Sequence, residues 1–301
     1  MAIRVAVWLG PAIVSVVVTS LARAQSAPAK TGISRDSNVL RAGSPVIPSP
    51  QRDEDARPDA TIVTDRPDFT ESSSTVGKGR LQVEAGYTLS RNRDAGIRST
   101  QAFPELLLRA GVFANQIELR LAQSFSRTSA NSTEGDIVDY QGADDIYFGM
   151  KLGLASQRRS RPELALVLQS TAPTGAASLS AGSMLPGVNL LYGWDLGSGA
   201  FSIAGSSQVN GAVGDGERLY AEFAQSATFG WDFTEKFGAY AETYAFFPHG
   251  SAAVGFPRTA YVNGGLRFQP TRSVQWDARV GRGLTDASDD YFVGVGVSVR
   301  R

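Results

Sequence analysis

The stretch Asp290-Tyr291-Phe292-Val293-Gly294-Val295-Gly296-Val297-Ser298-Val299-Arg300-Arg301 decides the fold class. Val293, Val295, Val297 and Val299 share one face of an extended strand; Gly294, Gly296, Ser298 and Arg300 share the other. Period-two alternation is the signature of a strand, because successive side chains point to opposite faces. A soluble antiparallel sheet alternates too. Here, however, the apolar face is valine alone, and the opposite face holds only small or charged side chains. That division suits a membrane barrel, whose strands turn apolar side chains to lipid and polar ones to a lumen.

Working upstream, the same alternation recurs over Arg80–Ser90, Phe103–Val112, Gln116–Phe125, Asp145–Leu154, Glu163–Thr171, Val188–Leu196, Phe201–Asn210, Leu219–Phe233, Lys236–Phe247, Arg258–Gln269 and Ser273–Arg282. With the closing stretch these predict an all-β fold: a transmembrane antiparallel up-and-down barrel of about twelve strands, each ~10 residues long, the length of a tilted membrane strand. The connections alternate as well. Arg91–Thr100, Ser126–Ala143, Ala172–Pro186 and Pro248–Pro257 are long, and Gly211–Arg218 and Gly283–Asp289 are medium; Ser156–Arg161 is short, and Phe113–Asn115, Gly197–Ala200, Thr234–Glu235 and Pro270–Arg272 are tight. Short periplasmic turns and long extracellular loops produce this rhythm. A soluble sandwich has no reason to keep it.

Composition narrows the functional classes. The 301 residues include 29 basic and 29 acidic side chains, so nothing suggests a nucleic-acid partner, which would need a basic patch. There is no cysteine and one histidine, His249, so thiolate chemistry is excluded and His-based catalysis or metal binding has little to draw on. His249 lies in a predicted loop, Phe247-Pro248-His249-Gly250, with Ser251 close by but no G-x-S-x-G elbow. The aspartates of the predicted loops (Asp136, Asp139, Asp144, Asp145, Asp286, Asp289, Asp290) lack the ligand spacing of a calcium loop and read as solvated acids. The chain is expected to be no enzyme and to need no cofactor or metal.

Residues 1–24 read as a secretory signal peptide: Arg4, an apolar run from Val5 to Leu21, then Ala22-Arg23-Ala24 as the cleavage pattern. Residues 25–60 are rich in Ala, Ser, Pro, Arg and Asp without periodicity and are expected to be a disordered periplasmic linker. Residues 61–301 form the barrel, opening with the polar stretch Ile62-Val63-Thr64-Asp65-Arg66-Pro67-Asp68-Phe69-Thr70-Glu71-Ser72.

That opening carries a resemblance. Thr64-Asp65-Arg66-Pro67-Asp68-Phe69-Thr70-Glu71, then Gly79-Arg80-Leu81-Gln82-Val83-Glu84-Ala85-Gly86-Tyr87, resembles the start of the outer-membrane family named for the MetA pathway of phenol degradation. Asp144-Asp145-Ile146-Tyr147-Phe148-Gly149-Met150-Lys151, Ala172-Pro173-Thr174-Gly175 and Tyr291-Phe292-Val293-Gly294-Val295-Gly296-Val297 fit it too. The resemblance implies an outer-membrane transporter for aromatic or other hydrophobic compounds. The expected location is the outer membrane of a Gram-negative bacterium, with its lipids, lipopolysaccharide, the barrel-assembly machinery and small solutes as partners. The chain departs from outer-membrane barrels in ending on Val299-Arg300-Arg301 rather than on an aromatic residue.

Alternation assigns the lumen lining: Glu84, Glu105, Arg109, Glu118, Arg120, Lys151, Glu163, Glu222, Glu242, Arg267, Asp277 and Arg279. The signs are mixed, so the lining taken as a whole selects no ion by charge. Residues 62–76, with Asp65, Arg66, Pro67 and Asp68 foremost, are expected to enter the lumen as a plug or gate, because their charges have opposite-signed partners there; a solvated tether is the other reading. For the whole protein the expectation is passive passage of small aromatic or hydrophobic solutes. The alternative is a structural or adhesive barrel that acts through its extracellular loops.

Overall fold

The computed structural model describes residues 60–93, 98–131, 137–197, 199–214, 218–253 and 255–301. The expected signal peptide and nearly all of the expected linker lie outside these residues. Fifteen strands follow one another: β1 (Leu81–Asn92), β2 (Arg98–Ala102), β3 (Leu106–Gly111), β4 (Ile117–Gln123), β5 (Phe125–Asn131), β6 (Ile137–Ala143), β7 (Ile146–Ala155), β8 (Glu163–Ala172), β9 (Leu185–Leu196), β10 (Phe201–Val213), β11 (Leu219–Asp232), β12 (Phe237–His249), β13 (Thr259–Thr271), β14 (Val274–Gly283) and β15 (Tyr291–Arg300). A single 3-10 turn, Ser251–Ala253, is the one helical element among the described residues. Among the described residues, no helix is long and apolar enough to cross a membrane.

Pairing is antiparallel throughout, and β15 returns to β1 from Gln82↔Arg300 to Arg91↔Tyr291, which closes the sheet. The valine-rich stretch Tyr291–Arg300 thus supplies the last stave and the seam. Closure matters because lipid offers no partner for a free strand edge. Three staves are each built from two strands end to end. β2 and β3 both pair with β1, on either side of a break at Phe103-Pro104-Glu105; β4 and β5, and likewise β7 and β6, continue one another. Counted as staves, the fifteen strands make a closed barrel of twelve.

The alternation predicts loops over Arg91–Thr100 and Ser126–Ala143. The structure instead carries strand through Asn92, through Arg98–Ala102, and through most of 125–143. The reason is physical. These pieces extend the wall past the apolar band, so neither face needs to be greasy; Ser99, Thr100, Gln101, Ser126, Arg127 and Thr128 keep the backbone ladder without any alternation to betray it. His249, expected in a loop, likewise ends β12, opposite Ala221, with its ring edge-on to Phe223.

The radial order is inverted relative to a soluble domain. Val295 is 56% exposed on the outside, and Leu119, Leu121, Ile203, Phe229, Leu266, Trp276 and Val280 share that exterior. The fully buried side chains are mostly polar and point inward: Gln82, Glu84, Arg109, Glu118, Lys151, Asn189, Ser206 and Gln275. The apolar part of the inner wall is small, Ala165, Val167 and Leu191 on β8 and β9. An apolar outside and polar inside is what a lipid-embedded barrel requires.

Candidate functional site: a segment threaded through the lumen

Residues 60–80 run inside the barrel wall. They start at the end that carries the tight turns: the Ile62 amide donates to the Arg272 carbonyl at 2.7 Å, and the Arg300 guanidinium donates to the carbonyls of Ala60 and Thr61. They return to the same end, where Thr75 Oγ1 donates to the Asn115 carbonyl and Gly79 N to Gly111 O. Between these points the chain forms a loop whose backbone polar groups are satisfied by wall side chains. Buried amides need such partners, and no strand is available to provide them there.

On the side of β1, β3, β4 and β7 the segment is held by charge. Asp65 is buried, and its carboxylate meets Arg120 Nη1 at 2.6 Å, Lys151 Nζ at 3.0 Å and Arg109 Nη1 at 3.4 Å. Glu84 accepts the amides of Asp65 and Arg66 at 3.1 Å and pairs with Arg109 at 3.0 Å. Glu118 pairs with Arg109 at 2.8 Å and accepts the Val76 amide; Arg120 also reaches Glu71 at 2.8 Å. Arg109 and Lys151 in addition donate to the carbonyls of Val63, Ser74 and Ser72. Every member of this buried cluster has oppositely charged neighbours, the condition under which such charges are tolerated. Burial alone would raise the Asp65 carboxyl. The surrounding Arg109, Lys151 and Arg120 outweigh it and hold Asp65 well below the usual carboxylate range.

Arg66 points the other way along the seam. Its guanidinium pairs with Glu105 at 3.0 Å and Asp277 at 3.5 Å and donates to the Val295 carbonyl. It lies over Gly86 and Gly296, which face each other across the β1–β15 pairing; a Cβ on either would collide with the guanidinium. The small inner face of the closing stretch is therefore a slot for this side chain. Pro67 is anchored through its carbonyl, which accepts from Arg279 Nη1 at 2.8 Å.

On the side of β8 to β13 the contacts change character. Glu242 accepts the Phe69 and Thr70 amides at 2.8 and 2.6 Å, and Thr70 Oγ1 sits among Glu242, Ser226 and Thr228. Ser73 and Ser74 hydroxyls donate to Glu163 at 2.7 and 3.0 Å. The loop's tip is Phe69, stacked on Tyr244 with ring centres 4.4 Å apart and edge-on to Phe246. Tyr244 stacks in turn on Tyr261, and Tyr261 meets Phe292 edge-on, with the Arg279 guanidinium over the Phe292 ring. Beneath the loop on this side lies a cavity of about 350 Å³. Asp68, half-buried, lines it and joins no ion pair with the described residues. Withdrawal from water and the neighbouring Glu242 push its carboxyl well above the usual range, and burial raises Glu71 despite Arg120.

Of the residues assigned to the lining, Glu84, Glu105, Arg109, Glu118, Arg120, Lys151, Glu163, Glu242, Asp277 and Arg279 touch the threaded segment. Arg267 instead pairs with Asp232 at 2.6 Å on the cavity wall. Glu222 lies farther along β11, opposite Asn210 and Pro248. Asp65 and Arg66 are brought into ion pairs, whereas Asp68 faces the cavity. Phe69, Thr70 and Glu71 lie within the expected plug, and Gly86 and Gly296 on the expected inner faces, but the sequence assigns none of them an individual role. Their partners are remote in sequence. Of the loop acids, Asp139 pairs with Arg127, Asp289 with Arg98 and Asp290 with Arg93, while Asp145 accepts the amides of Gly175 and Ala181. Among the described residues no group of three or more His, Asp or Glu side chains could hold a metal ion.

Comparison with known proteins agrees with the architecture. The COG4313 outer membrane channel from Pseudomonas putida F1 superposes with a TM-score of 0.61 at 13% identity, over 76% of this chain and 98% of that one. The NanC porin (TM-score 0.45, 10% identity, 73% and 98% covered) and the transport unit of the autotransporter AIDA-I from Escherichia coli (0.49, 9%, 73% and 89%) overlap too loosely to carry weight. No curated protein sequence matches the chain. The likeness to the channel is one of fold. A closed barrel with a lipid-facing exterior belongs in the outer membrane of a Gram-negative cell. The family model described as "Putative MetA-pathway of phenol degradation" matches residues 64–300, nearly the whole of the described barrel and its threaded segment, and the chain belongs to that family.

Proposed function

We propose that the protein is an outer-membrane channel for small aromatic or hydrophobic solutes, and that residues 62–76 are its gate. One observation carries the reading: a segment outside the wall's own strands occupies the lumen and is held there by side chains from at least nine wall positions rather than by backbone pairing. Side-chain contacts can be exchanged without unzipping the barrel, so the segment can move while the wall stays closed. The aromatic series Phe69, Tyr244, Tyr261 and Phe292 supports the solute class, since flat rings stack on such surfaces at the spacing Phe69 itself adopts. The family's association with phenol degradation points the same way. Bilayer lipids surround the barrel on this reading; lipopolysaccharide and the assembly machinery are its further partners.

The test is conductance in a planar bilayer of the refolded protein with and without residues 62–76. Larger discrete steps on deletion, and modulation of the full-length channel by phenol, are the expected results. Unchanged conductance after deletion overturns the gate. Silence of both forms would instead favour a barrel that works through its extracellular loops.

A further inference from the structure

The inward side chains of β12 mark successive levels of the lumen, each two residues and so roughly 6–7 Å beyond the last. Tyr240, nearest the tight turn, lines the cavity beneath the loop. Glu242 accepts the amides of Phe69 and Thr70. Tyr244 stacks on the Phe69 ring with planes 14° from parallel, and Phe246 meets that ring edge-on with centres 5.3 Å apart. Thr70 lines the cavity and Phe69 does not. The loop is therefore a thin partition here, with Phe69 on the long-loop side and Thr70 on the cavity side.

Phe69 is held as a flat solute would be held. Tyr244 gives it one face and gives the other to Tyr261, 5.0 Å away, and Tyr261 leads on to Phe292. Phe69, Tyr244, Phe246 and Tyr261 are each half-buried, so the notch they form is open to exchange. We propose that Phe69 is a tethered stand-in for the solute. An aromatic molecule arriving from the long-loop side takes its place against Tyr244 and Phe246, and the exchange opens the partition toward the cavity of about 350 Å³ beneath. The channel is opened by its own cargo. The inference rests on the reading of residues 62–76 as a gate and adds what triggers it.

The coupling is one of populations. A solute that can bind only where Phe69 has left favours the state in which Phe69 is out. In that state Thr70 has lost the ring contact of its neighbour, and the Glu242, Ser226 and Thr228 side chains alone retain it. The notch selects for a neutral ring. Glu242 already accepts from Phe69, Thr70, Thr228 and Asn263, and Arg279 already donates to the Pro67 carbonyl and the Thr88 hydroxyl. A charged aromatic solute therefore gains no counter-ion there that a neutral one lacks.

The experiment has two arms. In single-channel recording of the full chain, open time should rise saturably with phenol and not with cyclohexanol, a non-aromatic molecule of like size. Phe69→Ala should be more open without phenol, and phenol should open it no further. In calorimetric titration of the detergent-solubilised full chain against a micelle blank, phenol should bind Phe69→Ala roughly two- to tenfold more tightly than the wild type, because the competing ring is gone. It should bind Tyr244→Leu more weakly by a similar factor, the size of one aromatic pair. Heat-shifted electrophoretic mobility establishes that each variant is folded. Phenol binding that is unchanged or weaker in Phe69→Ala, binding unchanged in Tyr244→Leu, or equal opening by cyclohexanol overturns the proposal. The two readings fail separately. If deleting residues 62–76 enlarges the conductance while phenol acts alike with and without the Phe69 ring, the gate stands and its trigger falls. If deletion changes nothing while Phe69→Ala binds phenol more tightly, the exchange at the notch stands and the gate falls, taking the opening with it.

Discussion

The two sides of the lumen hold the same segment by different means. Toward β1, β3, β4 and β7, Asp65 is clamped by three cations and ringed by Glu84, Glu118 and Glu71, all withdrawn from water. Toward β8 to β13, hydroxyls and amides meet Glu163 and Glu242 across a wall that leaves a cavity, and Asp68 joins no ion pair among the described residues. Removing one partner from a buried ion cluster leaves the others uncompensated, about 3–5 kcal/mol, whereas a single hydrogen bond to a carboxylate contributes roughly 1.5–3 kcal/mol. The difference teaches which side is hinge and which is door. Displacement should begin at Thr70–Ser74 and end at Asp65.

The sharpest way to break this contrast is Asp65→Ala. It strands Arg109, Arg120 and Lys151 together and should loosen the segment by about 3–5 kcal/mol, seen as the largest rise in single-channel conductance and as new protease cleavage within 62–76. If the variant behaves as the wild type, the charged side is no anchor.

Titration should separate the sides next. The Asp65 carboxyl is depressed in the folded state, so its contribution is present above the ordinary value of about 4 and is lost as pH falls through the folded value; only strong acid undoes it. Asp68 is raised, so its contribution is present below that ordinary value and lost as pH rises through its folded value. Protease protection of the segment should therefore increase from pH 7 to pH 5 and collapse at far lower pH. Asp68→Asn should abolish the first change and leave the second. A monotonic loss of protection from pH 7 downward would contradict the assignment.

Filling the slot should act more gently. Gly86→Ala or Gly296→Ala forces Arg66 from its bed at a cost of about 1–3 kcal/mol, with an intermediate rise in conductance and no change in barrel closure on electrophoresis. Equal conductance to wild type would show that Arg66 is dispensable for holding the loop. The smallest effect belongs to the open side. Thr70→Val removes the hydroxyl from Glu242, Ser226 and Thr228 and should cost about 1.5 kcal/mol, read as slightly more frequent openings at unchanged step size. An effect as large as that of Asp65→Ala would reverse the order of release.

The wall was legible in the chain because lipid on one side and polar space on the other force each strand to alternate, and alternation survives in a bare sequence. Val293 to Val299 and the inward Glu84, Arg109, Glu118, Arg120 and Lys151 could be sorted by parity alone. Where both faces are wet, in β2, β5 and β6, that constraint lapses, and the strands could not be read.

Sequence by itself thus determined the barrel, its twelve-stave count and which side chains face inward, since each follows from a local period of two. Only the tertiary structure decided what those side chains do. Asp65 and Asp68 stand three residues apart in one polar motif, yet one joins three cations from β3, β4 and β7 and the other faces an acid-lined cavity. No local rule separates them, because the difference lies in staves tens to hundreds of residues away that closure of the barrel brings around the loop.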